Sequence, residues 1–333
     1  MKSNILKFVC GVGLVCSLFA CKNSDIDFPD FEEGTTVYFP YQYPTRTINL
    51  GDDEPQIDLT NDHAHKCQIR ATFGGSYNGS KGSVQVAVDE TLVNNLYFDE
   101  EYTRPVKAMP SNYYQLSTTT LNFNGTMNGT TDVQLTDAFF NDPEAVNTTY
   151  VIPLVMTSQT GFARILTGTL FEGATGPRTN ADDWDVKPMD FVLYCVKFQN
   201  KYSGWWVTHH TMSTENIEKA QSYEVKTVSL NSCTYAVTYQ DGNEVFNANL
   251  LLTFDDSDNC TISSLTPGVT ATGNGSWGDN TEKKAWGNRD RDGMELKYTV
   301  DFGNGHSWTV SEKLVWQRSG LVPINEFTPF YKK

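Results

Sequence analysis

Beyond its first twenty residues this sequence has no apolar run approaching the ~20 residues a spanning helix requires, so no later segment reads as a transmembrane helix. Positive charge is in deficit. Lys and Arg total 25 against 40 Asp and Glu, a formal charge of −15, which argues against nucleic acid and anionic membrane surfaces as partners. Cysteine is sparse: of seven, Cys10, Cys16 and Cys21 lie at the start, leaving Cys67, Cys195, Cys233 and Cys260. None of these four has CxxC or zinc-ligand spacing, and free thiols and one or two disulfides both stay open. Catalytic signatures are missing as well, with no GxSxG elbow, HExxH, P-loop or GxGxxG. Carboxylates cluster at Asp52-Asp53-Glu54, Asp99-Glu100-Glu101 and Asp182-Asp183, yet adjacent acids in turns rarely face each other across a cleft as glycoside hydrolysis needs. The expectation is a protein that is not an enzyme and uses no cofactor.

What is present begins with Lys2 and Lys7, followed by the uncharged apolar stretch Phe8 to Ala20, the pattern of a secretory signal. Its end, Leu18-Phe19-Ala20-Cys21, resembles a bacterial lipobox, with Phe19 in place of the usual small residue. That resemblance implies cleavage before Cys21 and a lipid on its sulfur, which anchors the mature chain without spanning the membrane. Loss of residues 1–20 removes two lysines and no acid, so the charge deepens by two. An acidic tether, residues 21–34, follows.

Aromatics at 13%, 25 glycines and abundant Thr and Asn favour short strands and turns. "TVYFPYQYPTRTINLG" alternates and then turns. "SVQVAVDE" puts Val84, Val86 and Val88 on one face, and "TYVIPLVMTS" does the same with Tyr150, Ile152, Leu154 and Met156. With "GGSYNGSKG" and "NGTMNGTTD" as turn-rich connectors, residues 35–198 read as an Ig-like β-sandwich closed by Phe191 to Phe198. The pattern restarts after Asn200. Tyr235, Val237 and Tyr239 share a face, Asp241-Gly242 marks a hairpin, and Leu250, Leu252 and Phe254 resume. Met294, Leu296, Tyr298, Val300 and Phe302, then Trp308, Val310, Leu314 and Trp316, continue the dry face, so residues 199–333 read as an up-and-down antiparallel β-barrel.

Three stretches carry a family resemblance: "VYFPYQYPTRTINLGDD"; "AMPSNYYQLS" (Ala108 to Ser117) with "VQLTDAFFNDP"; and "RDGMELKYTVDF" with "LVWQRSG". Together they resemble surface lipoproteins of Bacteroidetes with an Ig-like N-terminal domain of unknown function, also seen at the N-terminus of some family-18 glycoside hydrolases, and a C-terminal lipocalin-like domain. Such proteins are encoded in polysaccharide-utilisation loci beside outer-membrane importers, so the resemblance implies glycan capture. The acids from Asp25 onward resemble the signal that sends lipoproteins to the outer face, although Asn23-Ser24 stands where a tight acidic pair is usual. The implied location is the outer membrane, lipid-anchored and facing the exterior.

The candidate glycan site lies in "GNGSWGDNTEKKAWGNRDRDG", where Trp277 and Trp286 sit with Asn274, Asn288 and Asp290 and no alternation asks for burial. Aromatic faces stack on the C–H patches of sugar rings while amides and carboxylates bind hydroxyls. The bland alternative is loop tryptophans folded over the barrel end. Trp308, Trp316 and one of Trp205 and Trp206 have core parity. His63, His65 and Cys67 would share one side if extended, without a fourth ligand, and more simply form a polar strand end. "NRDRDG" has the oxygens and glycine of a calcium loop, but Thr299 stands where a carboxylate would close it. "DDSDN" reads as a turn. The leading expectation is a glycan-binding surface lipoprotein; a surface adhesin or structural component without a small-molecule site is the alternative, and a barrel pocket for an apolar ligand a third.

Overall fold

The computed structural model describes residues 29–51, 57–212 and 221–333. Two sheets form the first part. One runs in the order Arg164–Ile165, Thr36–Tyr38, Lys66–Gly74, Asn128–Leu135, Tyr114–Leu116; the other centres on Pro44–Asn49, Phe191–Gln199, Tyr150–Thr160 and Ser83–Val88. Alternation in Lys66–Gly74 sends Cys67, Ile69, Ala71 and Phe73 inward, where they meet Phe123, Val133, Ile152, Leu154, Val196 and Phe198 in one core between the sheets.

The strand Tyr150–Thr160 departs from the expected half-buried reading. Tyr150, Ile152, Leu154 and Met156 face the main core, but Val151 is equally buried on the opposite side. A second apolar cluster explains this: Leu92, Leu96, Phe98 and Val106 cover the outer face of Val151, Phe191, Leu193 and Cys195, with Tyr43, Phe327 and Tyr331 at its margin. Val88 also differs, being exposed where Val84 and Val86 are buried.

Gly204–Met212, Gln221–Ser229, Ser232–Asp241, Glu244–Phe254, Asn259–Ser264, Thr270–Trp286, Arg289–Asp301 and Ser307–Arg318 close into an eight-stranded antiparallel barrel, the last strand pairing with the first. Asp241 pairs with Glu244 across a two-residue turn in which Gly242 takes φ +57°, the left-handed geometry a tight hairpin needs. The interior is filled by Trp206, Tyr235, Tyr239, Phe254, Tyr298, Trp308 and Trp316, as parity expected. Trp205 points to the opposite side and is half-buried beneath the Arg318 guanidinium.

Asn200 fixes the sandwich to the barrel, its amide donating to the carbonyls of Ser229 (2.8 Å) and Ser232 (3.0 Å). The chain then crosses back. After Arg318 it leaves the barrel; Ile324–Glu326 pairs with Pro44–Arg46 at the sandwich edge and Phe330–Tyr331 pairs with Leu96–Tyr97. The expected barrel unit of residues 199–333 therefore ends too late, because its last segment buries Phe327 against Tyr43 and Phe98 of the sandwich. The tether's described end is also pinned, the Phe31 amide donating to the Gly75 carbonyl at 2.7 Å. Cys21 and the rest of the tether lie outside the described residues. Among those described, no helix is long and apolar enough to cross a membrane.

Candidate functional site

The five residues expected to bind glycan are not brought together. Residues 270–286 form one long, irregular strand instead of a loop, because the ladder with Arg289–Asp301 runs through them. Asn274 is exposed on that strand and lines a shallow cleft of about 410 Å³ with Asp255, Asn259 and Thr261. Trp277 faces a different hollow, at the junction of sandwich and barrel, with Leu50, Gly51, His63 and Lys201. It is half-buried against the barrel core, edge-on to Tyr202 at 5.7 Å, and the Lys201 ammonium sits 4.3 Å from its ring. The ring packs against the barrel core, while its buried indole nitrogen has no hydrogen-bond partner among the described residues. Asn288 occupies a left-handed turn position (φ 56°), and Asp290 accepts from Lys283 Nζ at 2.9 Å. Trp286 pairs its backbone with Arg289; its side chain lies outside the described residues.

The other candidates resolve into local structure. His63 ends the short helix Thr60–His63 with its ring nitrogen 2.8 Å from the Gly51 carbonyl, His65 turns left-handed (φ 57°) onto Phe140, and Cys67 points into the core, so an extended three-residue side does not form. Burial pushes the Cys67 thiol up to about 12. Cys67, Cys195, Cys233 and Cys260 are all free and buried. Asp255 accepts from the amides of Ser257 and Asn259, each at 2.9 Å, which closes "DDSDN" as a turn. Among the described residues no group of three or more His, Cys, Asp or Glu could hold a metal ion.

A cleft that the sequence reading missed lies on the sandwich, where the segment before its last strand meets the returning tail. Its volume is about 390 Å³. The stretch 177–186 builds one wall. The Asn180 amide donates to the Pro177 carbonyl (3.1 Å), a short 3₁₀ turn follows at Ala181–Asp183, and Trp184–Val186 then pairs with Thr169–Leu170. Trp184 is half-buried and oriented by its indole N–H, which donates to the Pro177 carbonyl at 3.0 Å. Behind it, Arg178 donates from Nε and Nη2 to the carboxylate of buried Asp190 (3.0 Å each to the nearer oxygens), and those bonds raise the guanidinium pKa further.

Tyr43, Phe191, Phe330 and Tyr331 supply aromatic surface, and Tyr102 stands at the rim. Tyr43 is held edge-on between Phe191 (5.9 Å) and Phe327 (5.5 Å), and burial pushes its hydroxyl pKa up. Asp182 is paired with Lys333 at 2.9 Å, a contact that lowers its pKa. Thr179 is only 3% exposed, and its hydroxyl has no partner among the described residues. A buried polar atom left unpaired beside a cleft is costly unless water or a ligand meets it. Flat aromatic walls, fixed donors and an orphan hydroxyl can hold a ring that has both C–H faces and hydroxyl edges.

A second polar group hidden from the sequence reading lies inside the barrel. Glu312 shares the parity of Trp308, Val310, Leu314 and Trp316, and it accepts from the hydroxyls of Tyr235 (2.9 Å) and Tyr298 (3.1 Å). Burial raises its carboxyl pKa to about 7 against the pull of those two hydrogen bonds.

Fold and cleft together define a two-part all-β protein, a sandwich and a closed barrel joined twice. A family model for the domain of unknown function DUF5627 matches residues 197–320, and one described as a "-like, N-terminal domain" matches residues 31–163. A crystal structure of a structural-genomics protein of unknown function from Bacteroides ovatus is 30% identical, with a TM-score of 0.80, over 91% of this chain and 100% of that one. The chain belongs to the family of that protein. A multidomain protein including DUF1735 (11% identity, TM-score 0.41, 84% of this chain and 93% of that one) and a protein of unknown function (10%, 0.38, 84% and 90%), both from Bacteroides ovatus, are more distant. No curated protein matches the sequence.

Proposed function

We propose that this protein is a lipid-anchored surface protein that binds an oligo- or polysaccharide without chemically altering it, in support of uptake by an outer-membrane importer. The observation that carries the reading is the cleft, where Trp184, Tyr43 and Tyr331 share a space with the fixed Arg178 and the unpaired Thr179 hydroxyl. Apolar faces with a few placed polar groups suit a sugar, whose ring is apolar on its faces and polar at its edges. The anchor rests on Cys21, and export to the outer face on the acids from Asp25 onward. Affinity gels cast with a panel of soluble polysaccharides test the reading. At least one should retard the protein, and Trp184→Ala should abolish that retardation. A protein that migrates freely in every gel contradicts it.

A further inference from the structure

Resting on that reading, we propose that the cleft selects a sugar carrying a carboxylate, a uronate, whose acid group meets the outer edge of the Arg178 guanidinium. A guanidinium has two edges that fit a carboxylate side by side, one formed by Nε and Nη2, the other by Nη1 and Nη2. Asp190, itself buried, occupies the first through three contacts of 3.0–3.1 Å. This fixes the plane of the group. The second edge keeps one Nη1 and one Nη2 hydrogen with no further hydrogen-bond partner among the described residues, although the Asp89 carboxylate lies within electrostatic reach of the group, on a side chain 36% exposed that lines the cleft.

Two other observations point to the same class. Lys187 lines the same cleft and is exposed without an ion-pair partner among the described residues, so the cleft has one unpaired cation beside the open edge of Arg178. The carboxylate that lines the cleft, Asp182, is already neutralised by Lys333. The chain as a whole is strongly acidic, which opposes a polyanion at long range. Salt at physiological strength screens that field beyond ~8 Å, whereas contact pairs inside a cleft are screened far less. Contact with Lys187 and with the open hydrogen-bonding edge of Arg178, whose charge Asp190 balances, therefore sets preference in the cleft.

Neutral sugars would use the aromatic wall alone; a uronate adds a paired, charge-assisted contact. The experiment uses the full chain in detergent solution and affinity gels containing polygalacturonate, the same polymer fully methyl-esterified, or dextran sulfate. Esterification removes the charge and leaves the rings. The inference expects retardation by the free acid about ten-fold stronger than by the ester, and Arg178→Lys, which keeps the charge beside Asp190 but loses the fork, should cut retention by the acid about ten-fold. Lys187→Gln, at an exposed position that does not endanger folding, should weaken the same retention. Equal retardation by acid and ester overturns the uronate assignment while leaving glycan binding in place, as does retardation by dextran sulfate alone. Loss of selectivity is thus distinguished from failure of the underlying reading, in which Trp184→Ala changes no retardation at all.

Discussion

Glu312 shows how one residue can set the pH response of a whole barrel. Its carboxyl titrates near 7 when folded and near 4.5 when unfolded, so between those values the folded chain keeps a proton that the unfolded chain has lost. Stability therefore falls as pH rises from about 4.5 to 7 and stays lower above, by ~3 kcal/mol. Facing it among the described side chains are the hydroxyls of Tyr235 and Tyr298, then Tyr239, whose oxygen lies 2.8 Å from that of Tyr298, all neutral in this range. Glu312→Gln should flatten this part of the profile, read as melting temperature from pH 4 to 8; a variant that keeps the wild-type slope removes Glu312 as the cause. At the same scale, Trp277→Ala should lose ~2–4 kcal/mol in denaturant unfolding because it opens the joint under Lys201, while glycan retention in the folded fraction stays as in the wild type. The parity of Trp308 and Trp316 was legible because alternation is a short-range signal. Glu312 sits in that same alternation, yet a lone acid among apolar neighbours does not announce whether hydroxyls from two other strands will reach it.

Elements follow the same division. The barrel strands could be read from period two and the Asp-Gly hairpin, since each needs only its own residues and the next turn. The strand Tyr150–Thr160 was legible on one face; burial of Val151 depends on Leu92, Leu96 and Val106, which no local pattern links to it. Trp184 lay in a Gly- and Pro-rich stretch that reads as a linker, and the tail that faces it across the cleft comes from some 150 residues further on. That tail has a testable role. Deleting residues 327–333 removes Thr328 to Tyr331 from the cleft and Lys333 from Asp182, while leaving all eight barrel strands intact. Glycan retention should vanish in gels with the barrel's near-ultraviolet circular dichroism preserved; retention by the truncated chain would place the site elsewhere.

At the scale of the molecule, two crossings join sandwich and barrel, one through Asn200 and one through Ile324–Glu326. Cys21→Ser should abolish incorporation of a labelled fatty acid in the producing cell, and label that persists would contradict lipid attachment at this sulfur. Sugar binding at the Trp184 cleft, and not at the Trp277 region, can be decided by one comparison. Titration calorimetry of the retained polysaccharide against wild type, Trp184→Ala and Trp277→Ala, each with its melting temperature, tests it most directly. Trp184→Ala should lose about ten-fold or more in affinity with stability nearly unchanged, and Trp277→Ala should keep its affinity; full affinity in Trp184→Ala together with its loss in a folded Trp277→Ala would put the sugar at Trp277 instead.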